Sequence, residues 1–241
     1  MLCEVGVEKR TYGCHLSSVN RLPVFRKEHG ERHVATICFA GVFLVLAEDG
    51  ENAIVILAGA NRQQSVDRIE HALNEAQPGD LLLLQNETDK QVEASRIAKQ
   101  KGLSVVYSAA PFDAQAVRDV LSNIDTLLLN EVEADQLEKS LNQRLISLPV
   151  EQIVVTLGAK GARWIDTKSG AQWDVAGERV KAVDTTGAGD TFAGYFAVGF
   201  HEGMRPEDAL KFAGRAAALK VTRHGAADAI PTRAEVASFL P

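Results

Sequence analysis

The chain has 241 residues, 46% of them hydrophobic, and a formal net charge of −6 at pH 7. This length and apolar content suit one α/β domain with a sizeable core, while the acidic balance argues against nucleic acid as a main partner. No run approaches the ~20 apolar residues that span a membrane, so no membrane partner is expected. The N-terminal residues soon include charged side chains and lack the apolar core of a secretory signal. The chain has three cysteines and no CxxC spacing, so we expect a reduced, cytoplasmic protein.

The first part of the chain divides into an undefined segment and a predicted hairpin. Residues 1–35 are polar, mixed in charge and without sustained periodicity, and the sequence predicts no element there. Within residues 36–61, two apolar, β-branched runs flank Asp49-Gly50, a dipeptide that strongly favours a hairpin turn. On the residues alone, this hairpin can be an edge of the main sheet or a cover over another part of the molecule.

Helical and strand patterns alternate from residue 65 onward. Helices are predicted at 66–73, 92–101 and 114–121, and strands at 81–84, 103–107, 126–129 and 153–155. This alternation predicts βαβ units and a parallel sheet, with ligands bound beyond the carboxyl ends of the strands. Residues 62–241 are therefore assigned to a single α/β core.

Polar side chains follow two of the predicted strands. Glu87 comes shortly after the strand at 81–84, and Asn130 and Glu133 come after the strand at 126–129. Each group is consistent with a helix N-cap and acids in a first turn, where the helix dipole favours negative charge. Each group also lies where a ligand of a parallel sheet is expected. Both interpretations stay open on the residues alone.

A short glycine-containing turn follows the strand at 153–155. Thr156, Gly158 and Gly161 lie in the run TLGAKG, and two glycines around a short loop allow a nucleotide to approach the backbone closely. The same run can be a hairpin turn into the next strand, and residues 171–175 are predicted to pair back as an antiparallel edge. The two interpretations are compatible.

Residues 184–192, which read DTTGAGDTF, have the composition of an anion site. Gly187 and Gly189 free the backbone just before an apolar-periodic helix, whose first N–H groups have no partner inside the helix and favour negative charge. Asp190 at this opening can cap the helix or take a proton from a substrate hydroxyl. The run is neither a GxGxxG fingerprint nor a Walker A loop, because Phe192 replaces the third glycine and no Gly-Lys-Ser/Thr follows.

Two helices complete the pattern. The first begins near Thr191 and repeats phenylalanine at 192, 196 and 200, which predicts that the helix is anchored in the core. The second, rich in alanine, runs from about 206 to 221 and ends near Gly225. The first of these helices would hold Asp190 rigidly in place.

The run at 184–192 resembles the C-terminal signature of the PfkB, or ribokinase-like, family of carbohydrate kinases. The resemblance implies an α/β fold with a mostly parallel sheet, helices on both faces and a small β-hairpin lid. It implies that Asp190 is the catalytic base and also faces the sugar. It further implies that Gly187, Ala188 and Gly189 form the anion hole for the transferred phosphoryl group, with Gly189 also contacting ATP.

The same resemblance implies roles for the other polar residues. The NxxE pattern of Asn130 and Glu133 is similar to the family's motif for Mg²⁺ and phosphate, and the TLGAKG run is similar to its turn beside the ATP phosphates and ribose. Glu87 falls where the family has a sugar-contacting glutamate. The loop at 221–226, with Asp184 and the carbonyl of Thr186, resembles a site for a monovalent cation such as K⁺, although Asp184 can equally bond within its own turn.

The resemblance covers residues 41–241 and does not extend to the family's N-terminal sugar-binding portion. It implies ATP-dependent phosphorylation of a sugar hydroxyl, with a pentose such as ribose as acceptor, and a homodimer formed through the β lid. Because the N-terminal sugar contacts are not found in residues 1–40, the alternative is a truncated or degenerate member that binds nucleotide without turnover. A mis-assigned start would have the same appearance.

Overall fold

A computed structural model describes five strands before residue 58, by their backbone, and residues 59–239 continuously. The first strands are β1 (Glu4–Glu8), β2 (Thr11–His15), β3 (Val34–Thr36), β4 (Val42–Glu48) and β5 (Glu51–Leu57). The next elements are α1 (Val66–Leu73), β6 (Leu81–Gln85), α2 (Gln91–Gln100), β7 (Ser104–Ser108), α3 (Ala114–Val120), β8 (Thr126–Asn130) and α4 (Glu131–Leu141). The last are β9 (Gln152–Thr156), β10 (Gly161–Asp166), β11 (Gln172–Ala176), α5 (Ala188–His201), α6 (Pro206–Val221) and α7 (Arg233–Ser238).

A seven-stranded sheet in the order β11-β10-β9-β8-β7-β6-β3 forms the centre of the molecule. The strands from β9 to β3 are parallel, and β10 and β11 add an antiparallel edge. The mostly parallel sheet predicted from the alternating pattern is therefore confirmed.

Helices cover both faces of this sheet, which explains the uninterrupted leucine run of β6. Leu82 and Leu84 belong to the core beneath α1 to α4, whereas Leu81 and Leu83 belong to the core beneath α5 and α6. All four leucines are buried because a parallel strand between two helical layers has no solvent-facing side. The predicted helices on both faces are confirmed as well.

A second sheet has four strands in the order β1-β2-β4-β5. The predicted hairpin corresponds to β4 and β5, which pair antiparallel from Val42 with Leu57 to Glu48 with Glu51. The Asp49-Gly50 turn itself lies outside the described residues. The sequence predicts no element in residues 1–35, yet β1, β2 and the start of β3 lie there. Their composition alone does not indicate strands, but β2 pairs with β4 and β3 pairs with β6, and this pairing stabilises them.

Along the part of the chain that the structure describes, no helix has both the length and the apolar character needed to cross a bilayer. The domain boundaries at 35 and 61 stay predictions. Thr36, assigned from the sequence to the hairpin segment, pairs with Leu83 in the main sheet.

Candidate active site

The start of α5 presents open backbone amides. Gly187 is the N-cap residue with φ +74°, a left-handed conformation that favours glycine, and no side chain caps the helix. Gly189 is exposed, and a Cβ atom built on it would meet nothing within 4 Å. The Ala188 N–H donates to the Thr185 carbonyl oxygen at 3.1 Å, whereas the backbone at Gly189 is open to a ligand and carries the partial positive charge of a helix N-terminus.

Asp190 is exposed beside these amides and does not turn into the core. Its Oδ1 accepts a hydrogen bond from Gln85 Nε2 at 2.6 Å, and Gln85 is the last residue of β6. This contact joins the carboxyl end of a central strand to the first turn of α5. It leaves Oδ2 of Asp190 available to a proton donor.

Glu87 lies close enough to Asp190 for their charges to interact. Burial, followed by the charge of Asp190, raises the pKa of Glu87. Its Oε2 atom is buried and has no hydrogen-bond partner among the residues that the structure describes. A half-buried carboxylate with an unsatisfied oxygen is suited to accept a hydrogen bond from a polyhydroxyl ligand.

The predicted site residues lie along one edge of the sheet. Gln85 pairs with Ser108, and Asn130 pairs with Thr156, so the carboxyl ends of β6, β7, β8 and β9 form a continuous row. From β6 to β9 this row spans roughly 14 Å, at about 4.8 Å per strand. Asp190 and Glu87 lie at one end, and Asn130 and Thr156 lie at the other.

Asn130 and Glu133 form a capping box at the start of α4. Asn130 Oδ1 accepts from the Glu133 N–H at 2.9 Å, and Glu133 Oε2 accepts from the Asn130 N–H at 2.8 Å. Burial raises the pKa of Glu133, and the hydrogen bond from Asn130 opposes that rise. The other oxygen, Oε1, fits an Mg²⁺ ion held through water and substrate phosphates. Among the described residues no three acidic, histidine or cysteine side chains cluster as a metal site.

The two glycines of the TLGAKG turn have different surroundings. Gly158 has φ +58°, and an added Cβ would meet nothing within 4 Å, so its backbone is open to a ligand such as a nucleotide. Gly161 has φ +114°, and an added Cβ would lie 1.9 Å from the carbonyl oxygen of Val175. The close approach at Gly161 is therefore to the chain's own strand β11. Thr156 ends β9 at the mouth of this turn.

Asp184 is held within the loop that precedes α5. Its Oδ1 accepts from the Thr186 N–H at 2.9 Å, and its Oδ2 accepts from the Gly225 N–H at 3.0 Å. Although burial raises the pKa of Asp184, these hydrogen bonds hold it below the ordinary value. The bond within its own turn, one of the two interpretations of the sequence, is present.

Lys220 occupies the space next to this loop. Its side chain is fully buried at the end of α6, and its Nζ donates to the main-chain carbonyl oxygen of Asp184 at 2.9 Å. A K⁺ ion at this oxygen would have to share it with an ammonium group of the same charge. Asp184, one of the predicted K⁺ ligands, is therefore already in contact with an ammonium group, which would repel a monovalent metal ion bound there.

A cleft of about 660 Å³ lies at the opposite edge of the sheet. It is lined by residues before the amino ends of the parallel strands, including Asp80 and Asp125, and by the end of α5 at His201. This cleft is remote from Asp190 and is not part of the candidate site.

Sequence reasoning missed two residues of the site, Gln85 and Lys220. Gln85 directly follows the leucine run, so its position at a strand end was visible, but its partner is 105 residues away. Lys220 resembles an ordinary cation at a helix C-terminus, where the dipole favours positive charge. No local pattern in the sequence indicates that it is buried.

The fold and the open amides define a class of α/β protein with an anion site at the carboxyl edge of a parallel sheet. Residues 39–233 match the description pfkB family carbohydrate kinase, and the chain belongs to that family.

Curated relatives share this assignment. Ribokinase of Haemophilus influenzae is 37% identical over 211 residues, which cover 82% of this chain and 68% of that protein. Ribokinase of Arabidopsis thaliana is 33% identical over 215 residues, covering 82% and 55%. Deoxyribokinase of Salmonella typhi is 29% identical over 204 residues, covering 80% and 66%. The chain thus spans between 55% and 68% of the length of these relatives.

Solved structures agree on the fold. Ribokinase of Thermotoga maritima has a TM-score of 0.68 and 34% identity, covering 80% of this chain and 67% of that chain. Arabidopsis thaliana ribokinase in complex with ribose and ATP has a TM-score of 0.66 and 29% identity, covering 80% and 66%. The ribokinase-like fold predicted from the sequence is confirmed, and the relatives indicate an ATP-dependent carbohydrate kinase.

Proposed function

We propose that this chain transfers the γ-phosphoryl group of ATP to a hydroxyl group of a sugar, with a pentose such as ribose as acceptor. The observation that carries the proposal is the exposed Asp190 carboxylate, held by Gln85 beside the open backbone of Gly189 at the start of α5. Stabilisation of the negative charge on the transferred phosphoryl group and a base for the alcohol are two requirements of this reaction that a protein site must meet.

In this proposal Asp190 takes the proton of the sugar hydroxyl. The hydroxyl oxygen bonds to the γ-phosphorus as the bond from that phosphorus to the β,γ-bridging oxygen breaks, and ADP leaves. Because the transition state is loose, the base mainly orients the hydroxyl, and the N–H groups from Gly187 to Gly189 stabilise the charge of the transferred group.

ATP and Mg²⁺ would lie along the row of strand ends. Asn130, Thr156 and Gly158 border the open part of this row, and the amide of Gly189 reaches the terminal phosphate. Gly161 supports the turn by its packing on β11. Glu133 would hold Mg²⁺ through water, and the ion would neutralise phosphate charge.

Glu87 is the proposed sugar contact, since its buried Oε2 lacks a partner among the described residues. Relatives named ribokinase and deoxyribokinase support a pentose as the acceptor and do not distinguish between ribose and deoxyribose. A homodimer through β4 and β5 and a cytoplasmic location stay predictions, which gel filtration and cell fractionation would test. The K⁺ ion at Asp184 and Thr186 also stays a prediction, and Lys220 gives a reason to revise it.

The test is sugar-dependent release of ADP over a panel of ribose, deoxyribose, fructose, 2-keto-3-deoxygluconate and nucleosides. Asp190→Asn should lower kcat by at least ~10²-fold, the usual contribution of a general base. The substituted amide can still accept from Gln85, so the fold should be kept. An unchanged rate in this variant would refute the role of Asp190. Calorimetric binding of ATP with no phosphorylated sugar would instead support a nucleotide-binding protein without turnover.

A further inference from the structure

Lys220 is a charged side chain that the core has fully enclosed. Its relative exposure is 0%, and it lies in the last turn of α6, a helix otherwise buried through alanine and leucine. Burying an ammonium group is costly unless acceptors and opposite charge surround it. Here the acceptor is the carbonyl oxygen of Asp184, and the Asp184 carboxylate supplies the opposite charge.

This ammonium acts on the loop that leads into the anion hole. The N–H groups of Val183 and Asp184 donate to the carbonyl oxygen of Val221 at 2.7 and 3.1 Å, so the loop is fixed against the end of α6. Gly187 follows Asp184 by three residues, a distance of at most roughly 10 Å along the chain. Lys220 therefore holds a positive charge against the loop that leads into the start of α5.

We propose that the Lys220 ammonium takes the place of a monovalent metal ion behind the anion hole, so that this protein works without added K⁺. The inference rests on the proposed kinase function. For an assumed separation of about 10 Å between this charge and a developing anion, and an effective dielectric constant near 20, the interaction is worth on the order of 10-fold in rate. Lys220 does not touch substrate and is a positioning residue.

The oxygen atoms of the loop support this assignment. Both carboxylate oxygens of Asp184 already accept backbone N–H groups, and its carbonyl oxygen accepts from Lys220. An ammonium group and a potassium ion have the same charge and use similar oxygen contacts, so one occupant excludes the other. A second cation at Asp184 would be repelled by the Lys220 ammonium, and each oxygen atom of Asp184 that it could approach already accepts a hydrogen bond.

The experiment compares KCl with NaCl at equal ionic strength, using thermal unfolding and sugar-dependent ADP release. The wild type should show the same Tm and the same kcat in both salts. Lys220→Ala opens a space of the size of the lost side chain, so K⁺ should raise its Tm above the value in Na⁺. Its kcat should fall on the order of 10-fold in Na⁺ and recover in K⁺.

Two further variants separate charge from packing. Lys220→Met keeps the apolar stem and fills the space, so its low kcat should not recover in K⁺. Lys211→Ala removes an exposed lysine of the same helix, ion-paired with Glu207, and should behave as the wild type in both salts. A purely structural role of Lys220 would not make rescue depend on the salt.

A wild type whose Tm or kcat rises in K⁺ over Na⁺ would overturn the proposal, and so would full activity of Lys220→Ala in Na⁺ or its failure to recover in K⁺. If neither Lys220 variant folds, the comparison of the wild-type Tm and kcat in KCl and NaCl decides whether the proposal stands. If no condition gives turnover, the proposed function fails, while the Tm comparison still tests the cation.

Discussion

Replacing Gln85 with leucine should slow sugar phosphorylation by about 10-fold while leaving the KM for ATP unchanged. The perturbation removes one hydrogen bond, from Gln85 Nε2 to Asp190 Oδ1 at 2.6 Å. It leaves the α5 amides and the ATP-facing end of the sheet untouched. The effect should therefore appear in kcat.

The magnitude follows from the strength of the lost hydrogen bond. A hydrogen bond to a charged group is worth ~1.5–3 kcal/mol, and the low end applies because Asp190 is exposed to water. Losing the donor frees the carboxylate to rotate away from the sugar hydroxyl. Since phosphoryl transfer depends mainly on positioning, the loss of orientation should lower kcat.

The assay is steady-state ADP release with ATP and sugar varied separately. Gln115→Leu is the matched control, because Gln115 donates to Asp119 at the same 2.6 Å on the outer face of α3. A Gln85→Leu enzyme with kcat equal to or above that of the wild type would refute the prediction, since the hydrogen bond from Gln85 would then not be needed to orient Asp190. A higher KM for ATP would place Gln85 in nucleotide binding instead.

Four further predictions concern the other candidate site residues. Burial and the charge of Asp190 raise the pKa of Glu87, so the folded state loses stability as the pH rises above 4.5, the ordinary pKa of a glutamate. Glu87→Gln should therefore raise Tm at neutral pH, and the difference in Tm should disappear in acid. The same variant should bind the sugar more weakly. Glu133→Gln should keep or raise Tm at neutral pH, because burial raises the pKa of Glu133 too and an amide oxygen still accepts from the Asn130 N–H, but it should shift the Mg²⁺ requirement of activity upward. Gly189→Ala should keep or raise Tm, since alanine is the better helix residue by ~0.5–1 kcal/mol, yet impair ATP binding in calorimetry. Gly161→Ala should instead destabilise the fold by more than ~1 kcal/mol from backbone strain, measured by denaturant unfolding. Equal effects of the two glycine substitutions would contradict the different surroundings seen here.

The core of the fold was predictable because its signals are local. Each central strand is a short apolar run, and Asn130 with Glu133 forms the capping box that their spacing suggests. The first strands were not predictable for the opposite reason. β1 and β2 pair with each other and with β4, so their stability comes from neighbours and not from their own composition.

The same distinction separates the candidate site residues that the sequence could indicate from those that it could not. Asp190, Gly187 and Gly189 could be proposed from the sequence because a glycine-rich turn before a helix is a continuous motif. Gln85 and Lys220 act through partners far along the chain, 105 and 36 residues away, and a single sequence does not indicate such pairs. Gly161 is a third case. The sequence indicated that this glycine lets a nucleotide approach the backbone, but in the structure it is strand β11 that lies too close to leave room for a side chain.

The placement of α5 determines how well the proposed chemistry can work, because this helix carries both the open amides and Asp190. Phe192 and Phe196 are buried against the sheet, and a 1 Å error in such a placement can cost on the order of 10²-fold in rate. Gln85 fixes the carboxylate from the sheet side, and Lys220 fixes the preceding loop from the α6 side. All of these contacts lie within residues 59–239, so the proposed phosphoryl transfer would depend on this part of the chain, and the proposed sugar contact at Glu87 lies there as well.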